Sequence, residues 1–349
     1  MDLIYANRER QEIGVLRSPE LDLAFGSDEN DFECTLPLSD ACCDSGYLIY
    51  AEGTEYGGIV DNITVDTASD EITYSGRTWH GVLGSKCIVP LQEGDSSEEI
   101  VIDNKTASGE SLVNRYLVLS GDANHCISYL VDRAGLSDLF CVPEEDAGVN
   151  VSKYQFERYT DAYSGICSML ASCGMRLKIA QGDGKVMLSA VPKVDFSKEK
   201  EFESQLIPFV SKAYKNKVNH LICLGSGELE NRLVVHLYAD ADGNISETQT
   251  FFGVDDYAAV YDYPNAGSGE EMSEEDKRNE LIENGTKRFK ELRKADTIDI
   301  DFDISDDAYY IGDIVGTLDS RTGVSVTAEV KKKIVTLKNN HVNISYIVG

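Results

Sequence analysis

Residues 57–88, "GGIVDNITVDTASDEITYSGRTWHGVLGSKCI", contain the pattern that decides the fold. Apolar and polar residues alternate over 57–66 and again over 71–77, and the polar stretch "TASD" separates the two runs. Because successive side chains of a β-strand point to opposite faces, this period of two predicts two antiparallel strands joined as a hairpin. Gly76 ends the second strand.

The chain's only tryptophan, Trp79, follows this hairpin and stands next to His80. The pair has two interpretations: a reactive or ligand-binding site, or a structural corner. A large aromatic residue just past a strand commonly closes the open end of a β-core, and its burial contributes strongly to stability. We therefore predict that Gly76, Arg77 and Trp79 form a structural anchor, and that a ligand site at Trp79-His80 is the alternative.

The same period of two extends towards the N-terminus. Alternating or apolar runs are separated by clusters of Ser, Asp, Asn and Gly, which favour turns. The runs are "LDLAF" (21–25), "FECTLPL" (32–38) and "YLIYAE" (47–52). Residues 1–107 are thus predicted to form an antiparallel β-domain, a small barrel or sandwich.

Near Ser111 the period changes to that of a helix. "DANHCISYLVDRAGL" has apolar residues at helical spacing, with Asp122 as a predicted cap and Gly135 as a stop. A second helix is predicted to end at Gly174, and the next residues form a hairpin around "QGDG". Residues 108–195 are predicted to be an inserted α/β domain.

Beyond residue 196 the period of two returns, interrupted by one helix. This helix, 272–295, opens with a capping pattern at Ser273 and Asp276. Strands are predicted at 217–227, 231–240, 243–253, 297–304, 324–339 and 342–349. We predict that 196–349 form a second β-domain with a helical insertion.

Charge and composition exclude several classes of protein. The chain of 349 residues has 61 acidic and 32 basic residues, a net charge of −29. This balance argues against binding to phosphate backbones or anionic lipid through a general basic surface. No run approaches about 18 apolar residues, and "MDLIYANRER" lacks the apolar centre of a secretory signal. We expect a soluble chain made in the cytoplasm, without stable membrane insertion, whose nine cysteines are reduced.

No catalytic motif is present in the sequence. A G-x-S-x-G elbow, an H-E-x-x-H helix and a cysteine motif of known local form are all missing. His125-Cys126 opens a predicted helix whose apolar face already includes Ile127 and Leu130, so a catalytic Cys-His pair is the weaker interpretation. We expect no catalytic residue and no cofactor.

Two acidic stretches are candidate metal sites. "DADGN" (240–244) begins like a calcium loop, but Ile245 and Phe251 stand where that loop needs glycine and glutamate. Asp299, Asp301 and Asp303 alternate with apolar residues, as in an ordinary half-buried strand. A turn and a strand explain these stretches better, and we expect no metal.

Three passages resemble one family, the tail hub proteins of long-tailed bacteriophages and prophages. Residues 57–88 look like that family's hairpin, in which a strand ends in glycine, arginine and a bulky residue. "YYIGDIVGTLDSRTGVSVTAEVKKKIVTLKNNHVNISYIVG" (309–349) looks like its closing β-unit. "NRLVVHLYADADG" (231–243) is similar to the strand pair that precedes its helix.

This resemblance implies a mainly β chain with two tube-like antiparallel β-barrel domains, an inserted α/β domain and one extra helix. It also implies a homotrimer, in which three copies of two similar barrels form a pseudo-sixfold ring. Such a ring joins a sixfold tail tube to a threefold tip. The implied partners are a tail tube or distal tail protein and a tip or fibre protein, and the implied location is the virion tail tip.

The alternative function is that of a tail-associated cell-wall (peptidoglycan) hydrolase, because some members of the family continue into such a domain. The sequence ends at Gly349 without an evident domain of this kind. We therefore expect a non-enzymatic structural hub. A closed ring with a central channel would favour the hub, and a monomer with one deep acidic cleft would favour the hydrolase.

Overall fold

A computed structural model describes residues 1–106, 109–182, 184–198, 202–203, 218–240, 243–264, 273–294, 300–303, 309–319 and 324–349. The chain forms two compact units. Unit 1 comprises Met1–Val210 and Ile300–Gly349, and unit 2 comprises Ser211–Asp299.

The N-terminal part of unit 1 is built from seven strands and a short helix. The strands are β1 (Ile4–Ala6), β2 (Glu12–Val15), β3 (Glu20–Gly26), β4 (Asp31–Pro37), β5 (Leu48–Tyr50), β6 (Gly57–Asp66) and β7 (Glu71–Thr78). Helix α1 (Trp79–Gly84) follows β7 directly. β6 and β7 pair antiparallel from Gly58↔Thr78 to Asp66↔Glu71, so the predicted hairpin is confirmed.

An α/β segment follows. Its elements are β8 (Val101–Ile102), β9 (Val118–Asp122), α2 (Ala123–Arg133), β10 (Phe140–Cys141), β11 (Asn150–Gln155), α3 (Ala162–Ser172), β12 (Met175–Gly182), β13 (Lys185–Pro192) and β14 (Phe202–Glu203). Asp122 caps α2 by accepting a hydrogen bond from the Asn124 N–H, at 2.9 Å, as the sequence predicts. β12 and β13 form the hairpin expected around "QGDG".

Unit 2 is one small sheet covered on one face by a helix. Its elements are β15 (His220–Leu224), β16 (Val234–Ala239), β17 (Ile245–Ser246), β18 (Ala258–Asp262) and α4 (Glu274–Lys294), and the strand order is β17-β16-β15-β18. Leu281 and Phe289 of α4 pack against Leu221 and Leu237 of the sheet. This is the apolar stripe that the helical period predicts. The Asp276 N–H donates to the Ser273 hydroxyl at 3.1 Å, which confirms the predicted cap.

The chain returns to unit 1 through β19 (Ile300–Asp303), β20 (Ile314–Asp319), β21 (Val324–Lys338) and β22 (His341–Val348). These strands join the N-terminal strands in one sheet of twelve, in the order β14-β20-β21-β3-β4-β7-β6-β5-β1-β2, while β22 pairs with β21 and β19. The join is the antiparallel pairing of β21 with β3, from Lys332↔Gly26 to Leu337↔Leu21. One face of this sheet carries the buried residues Leu23, Phe25 and Val335.

The prediction of a mainly β chain with few helices is confirmed for the described residues. Every described α-helix longer than α1 lies within 122–174 or 272–295, as expected. The strand orders are open, so none of the described sheets closes into a barrel.

The grouping of the C-terminal strands differs from the sequence prediction, which placed them with 196–299 in one domain. In the structure they belong to unit 1, because β21 finds its backbone partners on β3, β20 and β22. The boundaries at 107 and 195 stay predictions. Asp299 lies outside the described residues, as do the side chains of Asp301 and Asp303.

Candidate functional site: the Gly76–His80 corner and its buried ion network

The corner begins where β7 meets a bulge in β6. The register of the hairpin shifts between Val60 and Asn62, which leaves Asp61 as the extra residue. Gly76 lies against this bulge, and a methyl group at its Cα would stand 2.0 Å from the Ile59 carbonyl oxygen. No larger residue fits there without moving the backbone, which is the physical reason for glycine at the end of this strand.

Arg77 fixes the bulge through Asp61. The Arg77 backbone N–H donates to Asp61 Oδ2 at 3.1 Å, Nε donates to the same oxygen at 2.8 Å, and Nη2 donates to Oδ1 at 2.8 Å. The hydrogen bonds from the Arg77 side chain are the main reason that the pKa of Asp61 is lowered. This two-pronged contact holds the plane of the guanidinium group against the strand.

Trp79 starts α1 and points into the core. Thr78 caps the helix, and its hydroxyl accepts a hydrogen bond from the Gly81 N–H. The Trp79 side chain is completely buried in a cluster that includes Tyr50 and Leu83. It covers the start of β6 so closely that a methyl group on Gly57 would lie 2.9 Å from Trp79 Cζ2. Its indole N–H has no hydrogen-bond partner among the described residues, so packing alone holds the ring.

His80 is buried as well, with 2% of its surface exposed. Its ring stacks on Phe25, with centroids 4.1 Å apart and an angle of 7° between the planes, and meets the Tyr163 ring edge-on. Burial is the main reason that the pKa of His80 is lowered to about 3, with a further contribution from the charge of Lys333. The imidazole is therefore neutral at physiological pH. Trp79 and His80 are both buried, so neither side chain lies on the outer surface of the chain.

A buried ion network lies next to His80. The Lys333 ammonium group on β21 is fully buried and donates to Glu55 Oε1 at 2.9 Å and to the Tyr309 carbonyl at 3.3 Å. Three tyrosine rings surround it, with centroids at 5.0, 5.0 and 5.6 Å: Tyr56, Tyr310 and Tyr346. The other carboxylate oxygen of Glu55 lies 4.0 Å from His80 Nε2. Carbonyl, carboxylate and ring faces together replace the water that the ammonium loses on burial.

Two further ion pairs connect the α/β segment to the C-terminal strands. Arg176 Nε on β12 donates to Asp313 Oδ1 at 2.8 Å, and the guanidinium lies 4.5 Å from the Tyr310 ring centroid. Lys193 pairs with Glu329 of β21. A cavity of about 60 Å³ lies between these pairs and His80. At about 30 Å³ for each molecule of liquid water, the cavity has room for about two waters. The buried Arg176 Nη1 has no hydrogen-bond partner in the described residues.

The outer face of the large sheet carries an open acidic groove of about 480 Å³. Asp22 and Glu33 stand opposite each other across β3 and β4, and Asp31 and Asp61 lie beside them. Partial burial, followed by the nearby charge of Glu29, raises the pKa of Asp31. Within the described residues, no group of three or more His, Cys, Asp or Glu side chains is arranged to hold a metal ion.

The pair considered for catalysis in the sequence does not form a reactive site. Cys126 is buried, and burial raises the pKa of its thiol to about 12, so it stays protonated and unreactive. His125 points elsewhere, with Nε2 3.5 Å from Asp146. Ala241 and Asp242 of "DADGN" lie outside the described residues, but Tyr238↔Ser246 and Ala239↔Ile245 pair across the stretch as in a hairpin.

Sequence reasoning missed the ion network and a histidine pair in unit 2. His220 Nε2 and His236 Nδ1 are 2.8 Å apart, and His220 Nδ1 is 3.1 Å from Asp256 Oδ1. The two histidines lie on different strands, so the sequence shows that they are close only once the register of β15 and β16 is known. The network has one local signal: the three consecutive lysines 331–333, which interrupt the alternation of apolar and polar residues in their strand.

The fold is similar to that of solved tail proteins. One is the tail protein from Neisseria meningitidis MC58, with a TM-score of 0.50, 12% sequence identity and coverage of 100% of this chain and 96% of that chain. Another is the 43 kDa tail protein of prophage MuSo2 from Shewanella oneidensis, with a TM-score of 0.52, 9% identity and coverage of 100% and 98%. No family model and no curated protein matches the sequence.

These matches define the class: the chain has the fold of phage and prophage tail proteins. The resemblance that the sequence suggests is thereby confirmed at the level of the fold. None of the helices in the described part of the chain is long and apolar enough to cross a membrane.

The anchor role of Trp79 is testable by truncation. Because the ring is completely buried, Trp79→Ala should lower the free energy of unfolding by about 3–5 kcal/mol. Urea titration followed by circular dichroism measures this change. Tyr159→Ala, which removes an aromatic side chain that is 58% exposed, should change it by less than about 1 kcal/mol. A comparably small change for Trp79→Ala would reject the anchor.

Burial of His80 predicts a dependence of stability on pH. Between pH 6.5 and about 3 the unfolded chain binds a proton at this histidine that the folded chain excludes, so stability falls as the pH falls. His80→Phe keeps a ring against Phe25 and removes this proton. As the pH falls, the unfolding free energy of this variant should decline less steeply than that of the wild type. The two slopes should differ by up to about 1.4 kcal/mol per pH unit.

The matched control is His341→Phe, because His341 is exposed. For this variant, the urea midpoint should change between pH 7 and pH 4 as steeply as it does for the wild type. If the urea midpoint of His80→Phe also changed with pH as steeply as that of the wild type, His80 would not be a neutral, buried side chain.

Proposed function

We propose that this chain is a structural component of a phage or prophage tail, and that three copies form a baseplate or tail-tip hub ring joining the tail tube to the tip. The observation that carries the proposal is the similarity of fold to tail proteins over nearly the full length of each chain. The resemblance of residues 57–88, 231–243 and 309–349 to the hub family supports the proposed position within the tail.

In this proposal the large sheet provides two tube-like β-barrel domains, which close only in the assembled ring. The N-terminal strands β3 to β7 and the C-terminal strands β20 to β22 meet at the pairing of β21 with β3. Each half would face the ring axis in turn, so three chains would present six similar faces. The inserted α/β segment, 108–195, would lie outside the tube wall.

The proposed partners are other copies of this chain, a tail tube or distal tail protein on one side, and a tip or fibre protein on the other. The proposed location is the virion tail tip, after synthesis in the cytoplasm of the bacterial host. The role is structural and not enzymatic. The alternative, a cell-wall hydrolase, would act through acids and histidine in a cleft, and the described residues that line the acidic groove of the large sheet include no histidine.

The net charge of −29 predicts how the ring responds to salt. Like-charged chains repel as they approach, and salt limits this repulsion to about 8 Å at physiological ionic strength. We expect isolated chains to form trimers weakly or only at high concentration, and added salt to favour the trimer. The acidic groove on the sheet should repel phosphate, so duplex DNA should not bind at any ionic strength.

Sedimentation of the pure protein across a salt series, with and without duplex DNA, measures all three expectations, and electron microscopy of the fraction with the largest sedimentation coefficient shows whether a ring has closed. A trimer that dissociates as salt rises would mean that attractive ion pairs dominate the interface. Measurable DNA binding would refute the repulsion of phosphate. A monomer that hydrolyses peptidoglycan would contradict the hub and support the alternative function, that of a cell-wall hydrolase.

A further inference from the structure

The edges of β2 and β6 are among the edges of the large sheet that have no backbone partner in the described residues. β2 is the last strand of the sheet and pairs only with β1. β6 pairs with β5 only over Gly57–Ile59, so its residues 62–66 have β7 on one side and no strand on the other. An unpaired edge is a template for strand addition by another chain.

Both edges expose apolar side chains two residues apart. On β2 these are Ile13 and Val15, which are 50% and 54% exposed, and on β6 they are Ile63 and Val65, which are 39% and 52% exposed. Residues two apart lie on the same face of a strand. Each edge therefore presents a short apolar stripe on one face. The spacing is the same on both edges, so the two stripes would make cross-strand contacts if the edges paired.

The charges around the two edges are opposite in sign. The segment 8–17 contains three arginines, Arg8, Arg10 and Arg17, and two glutamates, and is thus slightly basic in a strongly acidic chain. The segment 61–71 contains four acids and no basic residue. Asp66, Asp70 and Glu71 are exposed, and backbone hydrogen bonds from Ala68 and Ser69 help to lower the pKa of Asp66, which keeps it charged.

We propose that the β2 edge of one copy of this chain pairs with the β6 edge of a second copy. Open backbone groups, matching apolar stripes and complementary charge all favour a second copy as the occupant of each edge. The two edges are different surfaces, so the contact is head to tail, and it forms a ring when the rotation from one copy to the next closes. The inference rests on the proposed function, because it assigns the contact by which the hub ring would close.

The local attraction is compatible with repulsion between whole chains. The net charge causes repulsion while the two chains are still far apart. The arginines and acids attract each other only at the final contact, where backbone hydrogen bonds also form and apolar side chains become buried. Salt screens the long-range part first. Flanking charges at both edges also discourage pairing with strands that lack the complementary pattern.

Cysteine cross-linking between differently tagged chains tests the contact. Ile13→Cys chains are mixed with Val65→Cys chains, or with Ile63→Cys chains, at the salt and protein concentrations where the wild type associates, and are then oxidised. A cross-linked species containing both tags should form in the mixtures and not in either variant alone. Val101→Cys, at a position 61% exposed, is the matched partner that should give no cross-link. The wild type, with nine free cysteines, sets the background.

A second measurement does not depend on cysteine chemistry. Val65→Lys should weaken self-association at least about tenfold, the equivalent of about 1.4 kcal/mol, while the urea midpoint stays that of the wild type. Val101→Lys should leave association unchanged.

Each outcome decides the inference. Association without the mixed cross-link, or with full affinity in Val65→Lys, would overturn the β2–β6 contact and leave the hub ring standing. Cross-links in Ile13→Cys alone would show that like edges pair, which also overturns it. A wild type that stays monomeric at every concentration and salt would overturn the contact and count against the ring as well.

Discussion

The burial of one ammonium group, that of Lys333, constrains the arrangement of unit 1. An ammonium ion removed from water costs several kcal/mol unless carboxylate, carbonyl or ring groups replace its hydration. Those groups come from the loop after β5, from the segment before β20 and from β22. These groups form a cage around the Lys333 ammonium group. If β21 slipped by one residue against β3, Lys333 would lie outside this cage and an apolar neighbour would leave the core. The cage therefore selects one register for the contact that joins the two ends of the chain.

The other two ion pairs constrain the position of the α/β segment in the same way. Arg176 lies on β12 and Lys193 directly follows β13, and each contacts a carboxylate on the C-terminal part of the chain. Replacing a buried pair by apolar residues often leaves stability unchanged, whereas removing one partner is costly. Such pairs thus discriminate against wrong arrangements more than they add stability. We infer that they orient the α/β segment on the large sheet.

The sequence determines local elements more clearly than long-range ones. The β6–β7 hairpin, the caps at Asp122 and Ser273 and the stripe on α4 follow from spacing and turn chemistry, which act within a few residues. The partner of β21 could not be predicted, because many apolar strands offer equivalent pairings. The inward direction of Lys333 was also hidden, since the register shift between Val330 and Lys332 changes which lysine of 331–333 faces the core. Of the corner, the burial of Trp79 follows from its position, whereas the role of His80 depends on Phe25 and Glu55, which are distant in sequence.

Acidic and basic residues are used differently in the interior and on the surface. Inside unit 1 the cations Lys333 and Arg176 are matched with carboxylates, so the buried network adds little net charge. The acids in excess of these pairs contribute to the repulsion between like-charged chains. In the proposed ring, this repulsion would oppose association before assembly, and a few local contacts between opposite charges would have to overcome it. The slightly basic segment beside β2 and the acidic end of the β6–β7 hairpin would supply those contacts at the two edges that the proposal pairs, so the distribution of charge would oppose premature association and still specify one contact.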